Sequence, residues 1–188
     1  HIVAQLLFLS KRARPDLQTA VAYLTTRVTA PDVQDVQKLG RGMKYLRATK
    51  DLYLTLSADN LHVLHWWVDA SFAVHKDMRS HTGVLFSLGQ GAVYANSTRQ
   101  KLNTRSSTEA ELVGVDDAMP MVLWVKKFME GQGYKVTDNV VYQDNQSAIL
   151  LERNGKRSST KRTRHLDVRY YFVTDQIGAK QMTVKYCP

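Results

Sequence analysis

The chain changes character near residue 60, from helical spacing to short strand-like runs, and that change limits the folds open to it. Upstream, apolar residues recur three or four apart, as on one face of a helix. Leu17, Val21, Leu24 and Val28 follow Arg14-Pro15-Asp16, and Val33, Val36, Leu39, Met43 and Leu46 follow Pro31-Asp32. Proline suits a first helical turn and an early Asp favours the positive helix end. Gly40 and Gly42 weaken the second of these helices. Downstream the runs become short, β-branched and aromatic. Leu61 to Val68 ends at Asp69, and Thr82 to Leu88 and Ala92 to Ser97 are parted by the turn Gly89-Gln90-Gly91. A long helix comes next. Ser106 with Glu109, and Thr108 with Glu111, both have capping-box spacing. Ala110, Val113, Ala118, Val122, Val125 and Phe128 run along the helix, Pro120 is expected to kink or split it, and Gly131 and Gly133 stop it. Val140 to Gln143 reads as a strand ending at Asp144, Asn145 to Arg153 and Leu166 to Gln176 as helices, and Gln181 to Tyr186 as a last strand. Three antiparallel strands, a helix, then parallel strands predict an α/β fold, a mixed sheet flanked by helices, over residues 61–188. A helical segment, 1–60, precedes it.

Composition narrows the partners. With 44% apolar residues the 188-residue chain can bury a core, which excludes a disordered segment. Lys and Arg number 26 against 17 Asp and Glu, a net +9 that calls for a polyanion, nucleic acid or an anionic membrane surface. No apolar run approaches the roughly 18 residues of a spanning helix, so no membrane role is expected. Cys187 is the only cysteine, which excludes an internal disulfide, and the six histidines show no paired spacing for structural zinc. The chain opens on His1 with no signal-peptide pattern and reads as an intracellular fragment of a longer protein.

Asp69 and Asp144 each end an apolar strand, and Glu109 lies in the first turn of the helix between them. If the two strands are neighbours, the three acids converge and repel one another unless cations sit among them. Hard oxygen ligands of this kind suit Mg²⁺ or Mn²⁺, and a metal pair about 3.5–4 Å apart hydrolyses phosphodiesters. Taken singly, a strand-end Asp is more often a turn or cap residue, and the capping box alone accounts for Glu109. Lys156, Arg157, Lys161, Arg162 and Arg164 form a stretch without an acid, read either as a solvated loop or as a phosphate-binding one. Ser158, Ser159 and Thr160 offer neutral phosphate contacts, and Arg99, Lys101 and Arg105 flank the start of the long helix. Trp66 and Trp67 must face opposite sides of a strand, one into the core and the other toward the preceding helices; Trp124 is expected in the core.

These residues sit in strings that resemble the ribonuclease H domain of copia-type LTR retrotransposon Pol polyproteins. Val68-Asp69-Ala70-Ser71 is similar to the first acidic motif, and Met78-Arg79-Ser80-His81-Thr82-Gly83 to the stretch that follows it. Ser106-Ser107-Thr108-Glu109-Ala110-Glu111 and Asp144-Asn145-Gln146-Ser147-Ala148-Ile149 match two further motifs, and Arg164-His165-Leu166-Asp167-Val168-Arg169-Tyr170-Tyr171-Phe172 resembles a fifth. Arg14-Pro15-Asp16 and Tyr45 to Leu52 resemble the segment joining reverse transcriptase to ribonuclease H. The resemblance implies a ribonuclease H-like fold and two-metal hydrolysis of the RNA strand of RNA–DNA hybrids, with Mg²⁺ as cofactor and Mn²⁺ a substitute. It implies Asp69, Glu109 and Asp144 as catalytic metal ligands, with Glu111 assigned to capping Thr108. The fold's usual fourth acid follows the last strand, so the domain is read as truncated before its last helix, with Asp167 as a substitute ligand. Asn145 and His165 join the basic residues as nucleic-acid contacts. The implied partners are the hybrid and the polymerase part of a reverse transcriptase, within retrotransposon particles of the cytoplasm or in the nucleus. The alternatives are a catalytically impaired hybrid-binding or docking module, or another nuclease of the same superfold such as an integrase.

Overall fold

A computed structural model describes residues 1–155 and 167–187, with residues 167–171 as backbone only. Helices α1 (Ile2–Arg12), α2 (Gln18–Thr25) and α3 (Val33–Ala48) come first, with a 3₁₀ turn at Pro15–Leu17. Asp32 and Asp35 cap α3 reciprocally, each side chain accepting from the other's backbone N–H. Leu6, Leu17 and Val21 form the buried centre of this segment, with Leu39 and Leu46 against it. Val33, Val36 and Met43, expected on one apolar side of α3, are exposed. The apolar contact is left to Leu39 and Leu46, a narrow stripe, while Lys38 over the Tyr23 ring and the Arg27–Asp35 pair add polar ties.

The chain then forms strands β1 (Ser57–Ala58), β2 (Val63–Ser71), β3 (His81–Ser87), β4 (Gly89–Gln90) and β5 (Tyr94–Arg99). Helix α4 (Ser107–Gly131), strand β6 (Asp138–Gln143), helices α5 (Gln146–Asn154) and α6 (Asp167–Gly178), and strand β7 (Thr183–Tyr186) follow. β1 and β4 make a small two-stranded ribbon; the others form one sheet in the order β5-β3-β2-β6-β7. β2–β3 and β3–β5 are antiparallel, whereas β2–β6 and β6–β7 are parallel. This is the ribonuclease H-like mixed sheet, and it has the strand directions expected from the order of elements.

One face of the sheet carries the main core. Leu64, Trp66 and Val68 of β2 pack with Val84, Phe86 and Val141 against Val115, Ala118, Met119 and Val122 of α4, joined by Ile149 of α5 and Val173 of α6. Trp66 is fully buried and donates its indole N–H to Asn139 Oδ1 at 3.0 Å. Trp67 faces the other side, where it stacks on Tyr142 of β6, ring centroids 5.3 Å apart, and not on the N-terminal helices. Trp124 is 58% exposed and stacks on Phe128 along the outer side of α4. The expectation of a core Trp124 fails because α4 is apolar on more than one side, so periodicity alone does not mark the stripe that meets the sheet. α4 also runs unbroken through Pro120, which lies on its solvent side. The N-terminal segment meets both the β5 edge of the sheet, where Gln18 Nε2 donates to the Ala95 carbonyl at 2.8 Å, and the connection between β2 and β3, where Tyr23 stacks on His75 and Lys76 pairs with Asp32. Among the described residues no helix is long and apolar enough to cross a membrane.

A candidate metal centre of three carboxylates

The central parallel pair positions two of the acids. β2 and β6 are in register from Val63↔Asp138 to Trp67↔Tyr142. Carried two residues further, that register brings Asp69 level with Asp144, where β6 has just ended and α5 begins. Both side chains face solvent. Asn145, between Asp144 and α5, is the N-cap, its side chain accepting from Ala148 N–H at 3.1 Å.

The third acid comes from α4. Ser106 is its N-cap and accepts from Glu109 N–H, which sets Glu109 three positions into the helix. The Glu109 carboxylate turns back toward the helix start and accepts from the Arg105 backbone N–H at 2.6 Å. Glu111, two residues on, is turned roughly 200° about the axis and faces the sheet. Its Oε1 accepts from Ala70 N–H at 3.2 Å, an amide that lies beyond the end of β6. One oxygen each from Asp69, Glu111 and Asp144 lies within 4.8 Å of the others. The structure therefore brings Glu111, and not Glu109, to the two aspartates. The expected roles exchange: Glu109 serves the helix start, and Glu111 does not cap Thr108.

The electrostatics fit a cation site. Burial, reinforced by the charge of Asp69, pushes the Glu111 carboxyl up to about 8. Desolvation and the neighbouring Asp144 raise Asp69 as well. Three carboxyls this close resist ionising together, and a divalent cation removes that resistance. The donor set is all oxygen and anionic, the chemistry of Mg²⁺ or Mn²⁺. Glu111 is 4% exposed and its Oε2 has no hydrogen-bond partner among the described residues, a further sign of an unmet electrostatic demand.

Of the basic residues, Arg99 ends β5 and donates to Asp77 at 3.0 Å, while Lys101 and Arg105 are exposed between β5 and α4. Lys156, Arg157, Ser158, Ser159, Thr160, Lys161, Arg162, Arg164 and His165 lie outside the described residues. Asp167 is the first residue of α6, ahead of β7, and its side chain lies outside them too.

Comparison with known proteins gives the chain's relatives. The chain is 31% identical over 183 residues to the retrovirus-related Pol polyprotein from transposon TNT 1-94 of Nicotiana tabacum, covering 97% of this chain and 14% of that one. It is 31% identical over 185 residues to the Pol polyprotein from transposon RE1 of Arabidopsis thaliana, covering 97% and 12%. The chain is homologous over 97% of its length to Pol polyproteins of copia-type plant transposons. It spans about a seventh of the length of these relatives. A shorter match, 31% identical over 124 residues, is to the secreted RxLR effector protein 161 of Plasmopara viticola, covering 65% of this chain and 87% of that protein. No family model matches. Among solved structures, LC11-RNase H1, isolated from compost, aligns over 68% of this chain and 85% of its own with 11% identity and a TM-score of 0.48. The strand order and directions of the sheet carry the fold assignment independently of that likeness.

Proposed function

We propose that this chain is a divalent-metal-dependent ribonuclease H that hydrolyses the RNA strand of RNA–DNA hybrids. One observation carries the reading: the oxygens of Asp69, Glu111 and Asp144 converge within 4.8 Å at the ends of the central parallel strands of a chain homologous to Pol polyproteins. These residues would hold Mg²⁺, or Mn²⁺ in its place. A metal bound there supplies Lewis-acid activation of water and neutralises charge developing on the phosphodiester. Asp69 and Asp144 present exposed carboxylates from a rigid sheet, and Glu111 closes the set from the helix side, partly shielded from water. Lys101 and Arg105, beside the start of α4, add positive charge for the phosphates. A hybrid close to A-form is read by backbone and 2′-hydroxyls, so little base preference is expected. Residues 1–60 are read as the connection from a polymerase part, which is the proposed protein partner.

The test is cleavage of an end-labelled RNA–DNA hybrid by the whole chain in Mg²⁺ or Mn²⁺, with chelator and Asp144→Asn as controls. Cutting of the RNA strand alone, abolished by both controls while Asp144→Asn still folds and binds hybrid, is the expected result. Cutting of duplex DNA instead would give the integrase-type reading. Tight hybrid binding that survives chelator, with no cutting in either metal, would make the chain a binding module.

A further inference from the structure

Behind the three carboxylates lies a second polar group that no step above employs. Glu152, on α5, is 0% exposed, and among the described residues neither of its carboxyl oxygens has a hydrogen-bond partner. Gln143, the last residue of β6 and the neighbour of Asp144, is 1% exposed, and both its amide nitrogen and its amide oxygen are unpartnered. Glu111 contributes a fifth buried orphan, its Oε2. The three belong together: Gln143 lies close enough to the Glu152 carboxyl to favour its ionised form without completing a hydrogen bond, and the nearby Glu111 charge, like burial, raises that carboxyl's proton affinity. Arg153, next in sequence, donates from its guanidinium to the Val184 carbonyl of β7, and its charge is the least of the influences on the Glu152 carboxyl. The Glu152 backbone is held by α6, whose Thr174 hydroxyl donates to its carbonyl at 2.7 Å.

Buried polar atoms without partners are rare in folded proteins, and five in one place call for a role. Their chemistry is complementary. Burial favours the neutral form of a carboxyl, and that form carries one O–H donor. Gln143 offers one acceptor and two donors, and an ionised Glu111 needs donors on the oxygen that a metal leaves unliganded. Resting on the metal-centre reading, we propose that Glu152 and Gln143 are positioning residues for Glu111: the Glu152 O–H donates to Gln143 Oε1, and Gln143 Nε2 donates to the Glu111 carboxylate when it ligates a cation. The chain of donors would satisfy four of the five orphaned atoms, all but the second Glu152 oxygen. It also ties α5, β6 and α4 to a single ligand geometry, and it stiffens the backbone immediately before Asp144.

The test is direct Mn²⁺ binding by the whole chain, measured calorimetrically with no nucleic acid present, alongside the unfolding midpoint in chelator. Glu152→Gln keeps a neutral donor of the same shape and is expected to bind Mn²⁺ as the unchanged chain does. Glu152→Leu and Gln143→Leu remove the relay and are expected to weaken binding by about 10- to 100-fold. Glu152→Leu is expected to leave the metal-free midpoint unchanged or raised, since an orphaned acid gives way to an apolar side chain, an outcome a merely structural role would not produce. Mn²⁺ affinity unchanged in Glu152→Leu, or as weak in Glu152→Gln as in Glu152→Leu, would overturn the relay and leave the metal centre standing. Should Glu152→Leu fail to fold, Gln143→Leu against Glu152→Gln decides in the same way. An unchanged chain that binds no Mn²⁺ would overturn the metal centre and the relay together.

Discussion

Glu109 and Glu111 lie two positions apart on α4, and the placement of the Ser106 cap decides which of them faces the sheet. Glu109 binds back onto the helix start, so Glu109→Gln is expected to cost about 1 kcal/mol of stability, the usual scale of a lost cap, with hybrid cleavage nearly unchanged. Glu111→Gln is expected to do the reverse: cleavage falls by about 100-fold or more, since even an outer partner of a metal is worth up to that, while the metal-free fold stays intact. Urea unfolding and hybrid cleavage on the two variants check both. Proton linkage belongs at this scale too. Glu111 and Glu152 ordinarily titrate at 4.5 and are each raised to about 8 in the fold. Between those values the folded chain binds more protons than the unfolded one, so stability is fully present below the lower value and declines as pH rises through the upper. Thermal midpoints of the metal-free chain should therefore fall across that window, and Glu152→Gln should flatten the decline. Mn²⁺ must displace the Glu111 proton, so the midpoint increase it produces should be larger at the alkaline end of the window.

At the scale of elements, α4 is the part that brings a distant carboxylate to the sheet, and it does so by close approach. A Cβ added at Gly114 would stand 3.3 Å from Thr82 Cγ2 and 3.5 Å from Val68 Cγ1. One turn earlier, Glu111 reaches the Ala70 amide of β2. Gly114→Leu is expected to push α4 off β2 and β3, lowering the unfolding midpoint and the Mn²⁺ affinity together. Pro120 shows the converse, a local rule overridden by packing. A proline in a helix interior loses a hydrogen bond and crowds the preceding turn, yet α4 continues because Ala118, Met119 and Val122 on either side of it are buried in the main core. Pro120→Ala is expected to raise stability by up to about 3 kcal/mol, the propensity difference between the two residues, measured by denaturant unfolding.

Over the whole molecule, the net charge of +9 sets the long-range behaviour. If four or so phosphates are contacted, hybrid affinity should fall about 100-fold between roughly 50 and 200 mM salt, and a flat salt response measured by fluorescence anisotropy would remove the electrostatic account of binding. The order of the five sheet strands and of α4 to α6, the end of β6 beside Asp144, and the mixed strand directions were legible from the sequence. Each depends on local periodicity and on turn or cap residues, which act within a few positions along the chain. The two aspartates were legible for the same reason, since each ends an apolar run. By contrast, α1 and the β1–β4 ribbon, which takes up part of the expected Gly89-Gln90-Gly91 turn, were not legible, and β2 runs on to Ser71, two residues past Asp69. Four things depended on contacts remote in sequence: the choice of Glu111 over Glu109, the exposure of Trp124, the continuity of α4 through Pro120, and the burial of Glu152 beside Gln143. Each turns on which side of a helix meets the sheet, and rotation about a helix axis is settled by packing against β2, β3 and β6. The amino-acid pattern by itself determined most of the elements that form and where the carboxylates sit along them. Only the tertiary structure decided which carboxylates meet, because convergence in space comes from strand register and helix rotation, quantities no local run of residues encodes.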